Sequence, residues 1–174
     1  MKTKVLVAYA SSYGSTQEIA EVISETLRSQ GLAVDCEPIR NVRKLEGYGA
    51  IVLGAPLYMF HWHKDARRFL SQHRKILADN LPVAIFAGGP FGKGDGNEWQ
   101  EVRTLFDREL AKFPWLTPIS VEIVGGKFDP TKLRFPYNLI PVLKKMPASD
   151  LRDWVAIRAW ANSLAAQLLP DLPQ

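Results

Sequence analysis

Ser11-Ser12-Tyr13-Gly14-Ser15-Thr16 is the stretch whose residue types and spacing point most directly to chemistry. Four small hydroxyls and a glycine lead straight into Ile19, Val22, Ile23 and Leu27, which recur at helical spacing. A helix N-terminus presents N–H groups without partners and the positive end of the helix dipole. Hydroxyls add donors without charge, and Gly14 lets the backbone curl closely around an anion. The combination predicts a phosphate cradle. Ser15 and Glu18 also form a capping-box pattern, which would account for those two residues with no ligand, and Gly31 is the expected helix stop.

His61-Trp62-His63 is a second candidate. Two imidazoles without a third ligand nearby make a poor metal site, and the start of a helix explains them. Imidazole titrates near neutral pH, so His61 or His63 could serve as a proton donor; a solvated histidine is the simpler reading. Other signatures fail on spacing. No G-x-G-x-x-G follows the first apolar run, and Gly88 to Gly94 departs from a P-loop at Ala87 and Gly94. A phosphoacceptor site would need clustered acids where Tyr9-Ala10 and Gly54-Ala55 stand, and no G-x-S-x-G elbow is present. With no paired carboxylates and no triad at the strand ends, no residue is nominated as a catalytic acid or base.

These residues need a frame. Lys4 to Tyr9 is a near-continuous apolar run, as expected of a strand buried on both faces of a parallel sheet. Leu32 to Ile39, Ala50 to Gly54, Pro82 to Ala87 and Ile119 to Val124 read as four further strands. Helices are expected from His63 to about Leu77, with Ala66, Phe69 and Leu70 inward, and from Trp99 to Phe113, with Val102, Leu105, Phe106 and Leu110 as the stripe. Ser149 or Asp150 is the expected cap of a last helix burying Trp154, Ile157, Ala161, Leu164 and Leu168. Strands alternating with helices call for a parallel sheet with helices on both faces, here as one domain over residues 1–174. Ligands bind beyond the carboxyl ends of such strands, so the loops after the first, third and fourth strands hold the site.

Composition narrows the classes. The 174 residues are 47% hydrophobic and 23% charged, with a formal net charge of +4. No run of five Lys or Arg suggests a nucleic-acid tail, and no apolar run reaches the length of a membrane span or signal-peptide core. Cys36 is the only cysteine, which leaves no internal disulfide and no cysteine-rich metal site. A reducing cytoplasm fits best.

Ser11-Ser12-Tyr13-Gly14-Ser15-Thr16 followed by Glu18-Ile19-Ala20 resembles the flavodoxin phosphate loop, [S/T]-x-[S/T]-G-x-T. The resemblance implies a flavodoxin-like α/β three-layer sandwich, a five-stranded parallel sheet of order 2-1-3-4-5, and FMN as cofactor. It makes Ser11, Ser12, Gly14, Ser15 and Thr16 the phosphate contacts; Tyr13 departs from the usual Ser or Thr and would contribute its backbone N–H. It also assigns the isoalloxazine ring to Ala55-Pro56-Leu57-Tyr58-Met59 and Gly88-Gly89-Pro90-Phe91, with Tyr58, Met59, Trp62 and Phe91 as candidate walls. The first of these loops lacks the glycine that short-chain flavodoxins often place beside the ring, which favours two-electron chemistry over one-electron carriage.

Further residues sharpen the likeness: Val52 to Pro56 with His61 and His63, Val124-Gly125-Gly126-Lys127-Phe128, and Asp153-Trp154 with Ala156 to Ala161. They resemble the flavodoxin-domain group that contains quinone-dependent protoporphyrinogen dehydrogenases. That group inserts a basic, apolar segment before the last helix, and about 127–148 holds that place here. Residues 132–146 could then line the approach of an apolar substrate or quinone, rest peripherally on an anionic inner membrane face, or simply cover the core. The resemblance implies an FMN-dependent oxidoreductase passing two electrons from a reduced organic substrate to a quinone. A flavodoxin-type carrier for a redox protein and a flavin-free scaffold are the alternatives.

Overall fold

The computed structural model describes residues 4–79, 81–90 and 96–169. Its centre is a sheet in which β2 (Ala33–Pro38), β1 (Lys4–Tyr9), β3 (Ala50–Tyr58), β5 (Val83–Gly88) and β6 (Ser120–Val124) lie in that order, all parallel. These are the five expected strands in the expected order. A two-residue strand, β4 (His61–Trp62), turns back antiparallel on β3.

Alternation along each strand divides the core in two. Leu6, Ala8, Ile51, Leu53, Ile85 and Ala87 face α2 (Lys64–Gln72), α3 (Arg74–Ala78) and α4 (Glu98–Leu110), meeting Phe69, Leu70, Leu77 and Phe106. Val5, Val7, Tyr9, Val52, Ala84 and Phe86 face α1 (Ser15–Ser29) and α6 (Trp154–Leu168), meeting Ile19, Ile23, Leu27, Ile157, Trp160 and Leu164. The central strands are therefore apolar on both faces and β2, at the edge, is half-buried throughout.

Several expected boundaries move. The helix expected from His63 to Leu77 breaks at His73 into α2 and α3. Ser149 and Asp150 do not cap the last helix; they form β8 (Ser149–Asp150), and the cap is Asp153, whose carboxylate accepts the Ala156 N–H at 3.0 Å. The inward stripe of α6 gains Trp160 and Ala165, while Trp154 and Leu168 are only partly covered.

The segment between β6 and α6 is a closed flap. It opens with β7 (Lys127–Phe128), passes through short turns at Pro130–Lys132 and Tyr137–Leu139 and through α5 (Pro141–Lys145), and returns as β8, paired antiparallel with β7. Its two ends touch where the Leu151 N–H donates to Gly126 O at 2.9 Å. Gly125 makes this possible, because a Cβ there would lie 1.8 Å from the Leu151 carbonyl oxygen. Gly125→Ala must push backbone against backbone, and should cost about 1–3 kcal/mol. An unchanged urea midpoint for that variant would contradict the closure.

Candidate functional site

The loop after β1 is shaped by Gly14, which holds a left-handed conformation at φ +89 and precedes α1. Its N–H donates to Ser11 Oγ at 2.9 Å, and its carbonyl accepts the Glu18 N–H at 3.2 Å as the first helical bond. Gly14, not Ser15, is thus the cap residue, and no side chain caps the helix. The expected capping box is absent because Glu18 turns away to pair with Arg152. The first N–H groups of α1 have no partner within the helix and face outward as donors. Thr16 is buried behind them.

This loop opens onto a polar cavity of about 750 Å³ shared with Pro38, Arg40, Asp65, Lys132 and Arg134. Arg40 is paired with Asp65 at 3.0 Å, and the Arg134 guanidinium stands over the Tyr13 ring at 6.0 Å. On the other side, Arg152 ties the flap to the helix start. Its guanidinium holds both Asp150 oxygens, the Glu18 carboxylate and the Ser15 carbonyl, and lies over the Trp154 ring.

β3 runs on to Tyr58, beyond the Gly54 at which the sequence pattern ends. Met59 and Phe60 then turn the chain with positive φ at both, 48° and 69°, and β4 pairs Leu57 with Trp62 and Tyr58 with His61. A two-residue turn of this hand normally takes Asn or Gly, so two bulky residues there are strained. Glu109 of α4, 3% exposed, holds the hairpin in place. It accepts the Trp62 N–H at 3.1 Å, faces His61 Nδ1 at 3.3 Å and pairs with Lys112. Burial raises its pKa, but the bonds from Lys112, Trp62 and His61 outweigh burial and hold the carboxyl below its ordinary value. Trp62 is anchored in the core and borders the cavity described next: its indole N–H donates to Ala55 O at 2.9 Å and its ring packs 5.1 Å from Phe106, leaving 1% exposed.

Between this hairpin, the β1 loop and the flap lies a second cavity, about 520 Å³. Ser12, Tyr13, Ser15, Leu57, Tyr58 and Met59 reach it from the expected residues. Ala55 and Pro56 are buried in β3 and do not line it. Neither do Gly88, Gly89 and Pro90, which join the flap base through the Gly89 N–H to Val124 O and the Gly126 N–H to Pro90 O, both 2.9 Å. Phe91 and Gly92 lie outside the described residues. The flap supplies the roof with Phe128, Leu133, Tyr137, Leu143 and Met146, and Lys64, Arg67, Lys127 and Lys132 add positive charge. The apolar-basic pattern of the flap is visible in the sequence; Lys64 and Arg67 look like ordinary solvent-facing residues of an amphipathic helix.

His63 sits where the two loops meet. Its Nδ1 accepts the Asp65 N–H at 3.1 Å, so in the neutral ring Nε2 carries the proton and faces Ser12 Oγ at 3.4 Å. Ser12 also bonds the Tyr58 phenol, whose pKa is well above its ordinary value because of burial and the neighbouring Tyr13. Burial lowers the His63 pKa, with Asp65 opposing and Arg40, Lys64 and Arg67 adding to the fall. A His63 titration followed by NMR should therefore have its midpoint below the ordinary 6.5. The unfolded chain binds this proton more readily, so its contribution to stability is complete above 6.5 and falls as the pH drops towards the native pKa. A midpoint at or above 6.5 would contradict this arrangement.

Comparison with known proteins agrees with this geometry. A family model described as a flavodoxin domain matches residues 6–147. Protoporphyrinogen IX dehydrogenase [quinone] of Escherichia coli (strain K12) is 21% identical over 172 residues, covering 93% of this chain and 94% of that protein. Among solved structures, Flavodoxin 1 from Bacillus cereus superposes with a TM-score of 0.59 at 16% identity, covering 98% of this chain and all of that one. The rubredoxin oxygen:oxidoreductase of Desulfovibrio gigas gives 0.57 at 17%, with this chain spanning 37% of its length. At these identities the structures speak for the fold alone. The chain belongs to the flavodoxin domain family, whose cofactor is FMN.

Proposed function

We propose that the protein holds FMN noncovalently and passes two electrons from a reduced organic substrate to a quinone or similar acceptor. The observation that carries this reading is the roofed apolar cavity beside the uncapped start of α1. The residues suit the group. An uncapped helix N-terminus with Ser11, Ser12, Ser15 and Thr16 around it fits a phosphate, and a cavity walled by Leu57, Tyr58 and Met59 fits a flat ring. Ala55, Pro56, Gly88, Gly89 and Pro90 would support that wall from behind.

When bound, FMN supplies reversible two-electron chemistry. The chain itself positions and lines the site. The flap lends the cavity apolar side chains, the Glu109 anchor keeps the hairpin wall in place, and His63 Nε2, facing Ser12, is placed to hold or release a proton. Phe135, Leu139 and Val142 are exposed on the flap at 77%, 65% and 70%, beside Lys132, Arg134, Lys144 and Lys145. Such a rim suits an apolar acceptor such as a quinone, including one delivered from an anionic lipid surface. The quinone named for the E. coli relative supports the same acceptor class.

FMN titrated into cofactor-free protein should lose its free fluorescence at a one-to-one endpoint. Gly14→Val should weaken binding about tenfold, because a β-branched residue resists the left-handed turn. Failure of FMN to bind in large excess would overturn the reading.

A further inference from the structure

His61 and His63 both line the roofed cavity, yet their rings are held in opposite ways. Glu109 Oε1 stands 3.3 Å from His61 Nδ1. Bonds from Lys112 and the Trp62 N–H keep that carboxylate ionised, and an ionised carboxylate only accepts. The hydrogen of the neutral His61 ring is therefore on Nδ1, and Nε2 is a bare lone pair with no hydrogen bond among the described residues. His63 is the reverse case. Its Nδ1 accepts the Asp65 N–H and its Nε2 faces Ser12 Oγ, so both nitrogens are occupied. Of the two imidazoles, only His61 offers a free nitrogen. Its side chain is 61% exposed and stands opposite Tyr58 in the β3–β4 pair, on the face of the hairpin wall.

We infer that His61 is a catalytic residue, the proton carrier between the reduced substrate and the quinone, with Glu109 as the positioning residue that keeps its Nε2 free. This rests on the proposed function. A donor that loses two hydrogens gives one as hydride, with its bonding pair, to the bound cofactor. The other leaves an N–H or O–H group as a proton for His61 Nε2, and the pair it leaves behind forms the new double bond of the product. In the second half the hydride passes to the quinone and the Nε2 proton to a quinone oxygen, which gives the hydroquinone. The ring returns to its neutral form with hydrogen on Nδ1, and no electron or proton is left over. While the ring holds both hydrogens, Glu109 offsets its charge from α4, and Lys112, bonded to the same oxygen, opposes it.

Quinone reduction consumes protons and ferricyanide reduction does not, so the ratio of the two rates isolates the proton step. FMN-loaded protein, photoreduced without oxygen, is mixed rapidly with menadione or with ferricyanide. His61→Ala should lower the menadione-to-ferricyanide ratio about a hundredfold, the low end for general acid–base catalysis, and added imidazole should restore most of it. His61→Gln repeats the rate comparison should the alanine variant fail to fold. A second readout needs no cofactor. The chain has three histidines, and long-range proton–nitrogen NMR spectra in alkaline buffer show which nitrogen of each ring bears hydrogen. His61 should carry it on Nδ1 and His63 on Nε2. In Glu109→Gln the amide oxygen takes the Trp62 N–H and the amide nitrogen faces His61, so the His61 hydrogen should move to Nε2. An unchanged rate ratio, a loss that imidazole leaves unrestored, or hydrogen on His61 Nε2 in the unaltered protein would each overturn the inference while the proposed function stands. Failure of FMN to bind would instead overturn both, with the nitrogen spectra still deciding whether His61 is a base at Nε2.

Discussion

The whole site depends on how β1 hands the chain to α1. Five parallel strands leave their carboxyl ends as the open edge of the sheet, and the β1–α1 loop stands on that edge next to β3, the central strand. Gly14 takes the left-handed turn, and no side chain occupies the cap. A helix start kept free in this way retains its donors for an external anion. Placing Ser15 in the cap would have satisfied the helix from within. Glu18, the other half of the expected capping box, serves instead as one end of the clasp through Arg152.

Everything that encloses the site is attached to that edge. Arg152, its side chain 4% exposed, connects β8 to α1, so the far end of the flap is pinned beside the β1–α1 loop. Gly125 and the Leu151–Gly126 bond close its base. On the opposite wall, a strained turn at Met59 and Phe60 is offset by a buried carboxylate on α4. Strain next to a cofactor site, held by a neighbouring element, is a recurrent way of fixing one loop shape. His63 links the two walls through Ser12.

The sheet was legible because buried parallel strands are written as continuous apolar runs, and β1, β3 and β5 are of that kind. The β1–α1 loop stood out because its hydroxyls and glycine are contiguous. What stayed hidden depends on contacts distant in sequence. Glu109 reads as a solvent-facing residue of α4 until the hairpin, some 47 residues earlier, is folded against it. Arg67 reads the same way, yet it lines the cavity that the flap borders. The hairpin itself escaped notice because Met-Phe is a poor sequence for a positive-φ turn, and the boundary of α6 moved because Ser149 and Asp150 pair with a strand rather than cap a helix. The anchoring of Trp62 was hidden for the same reason: its burial comes from Phe106 on a helix far along the chain.

The central claim is two-electron chemistry on FMN held between the β1 loop and the flap. The most direct measurement is stepwise anaerobic reduction of the FMN-loaded protein, followed by visible absorption. The account predicts passage from oxidised to fully reduced cofactor through one set of isosbestic points, with no half-reduced species accumulating. A long-lived half-reduced form at the midpoint would contradict it and identify a one-electron carrier instead.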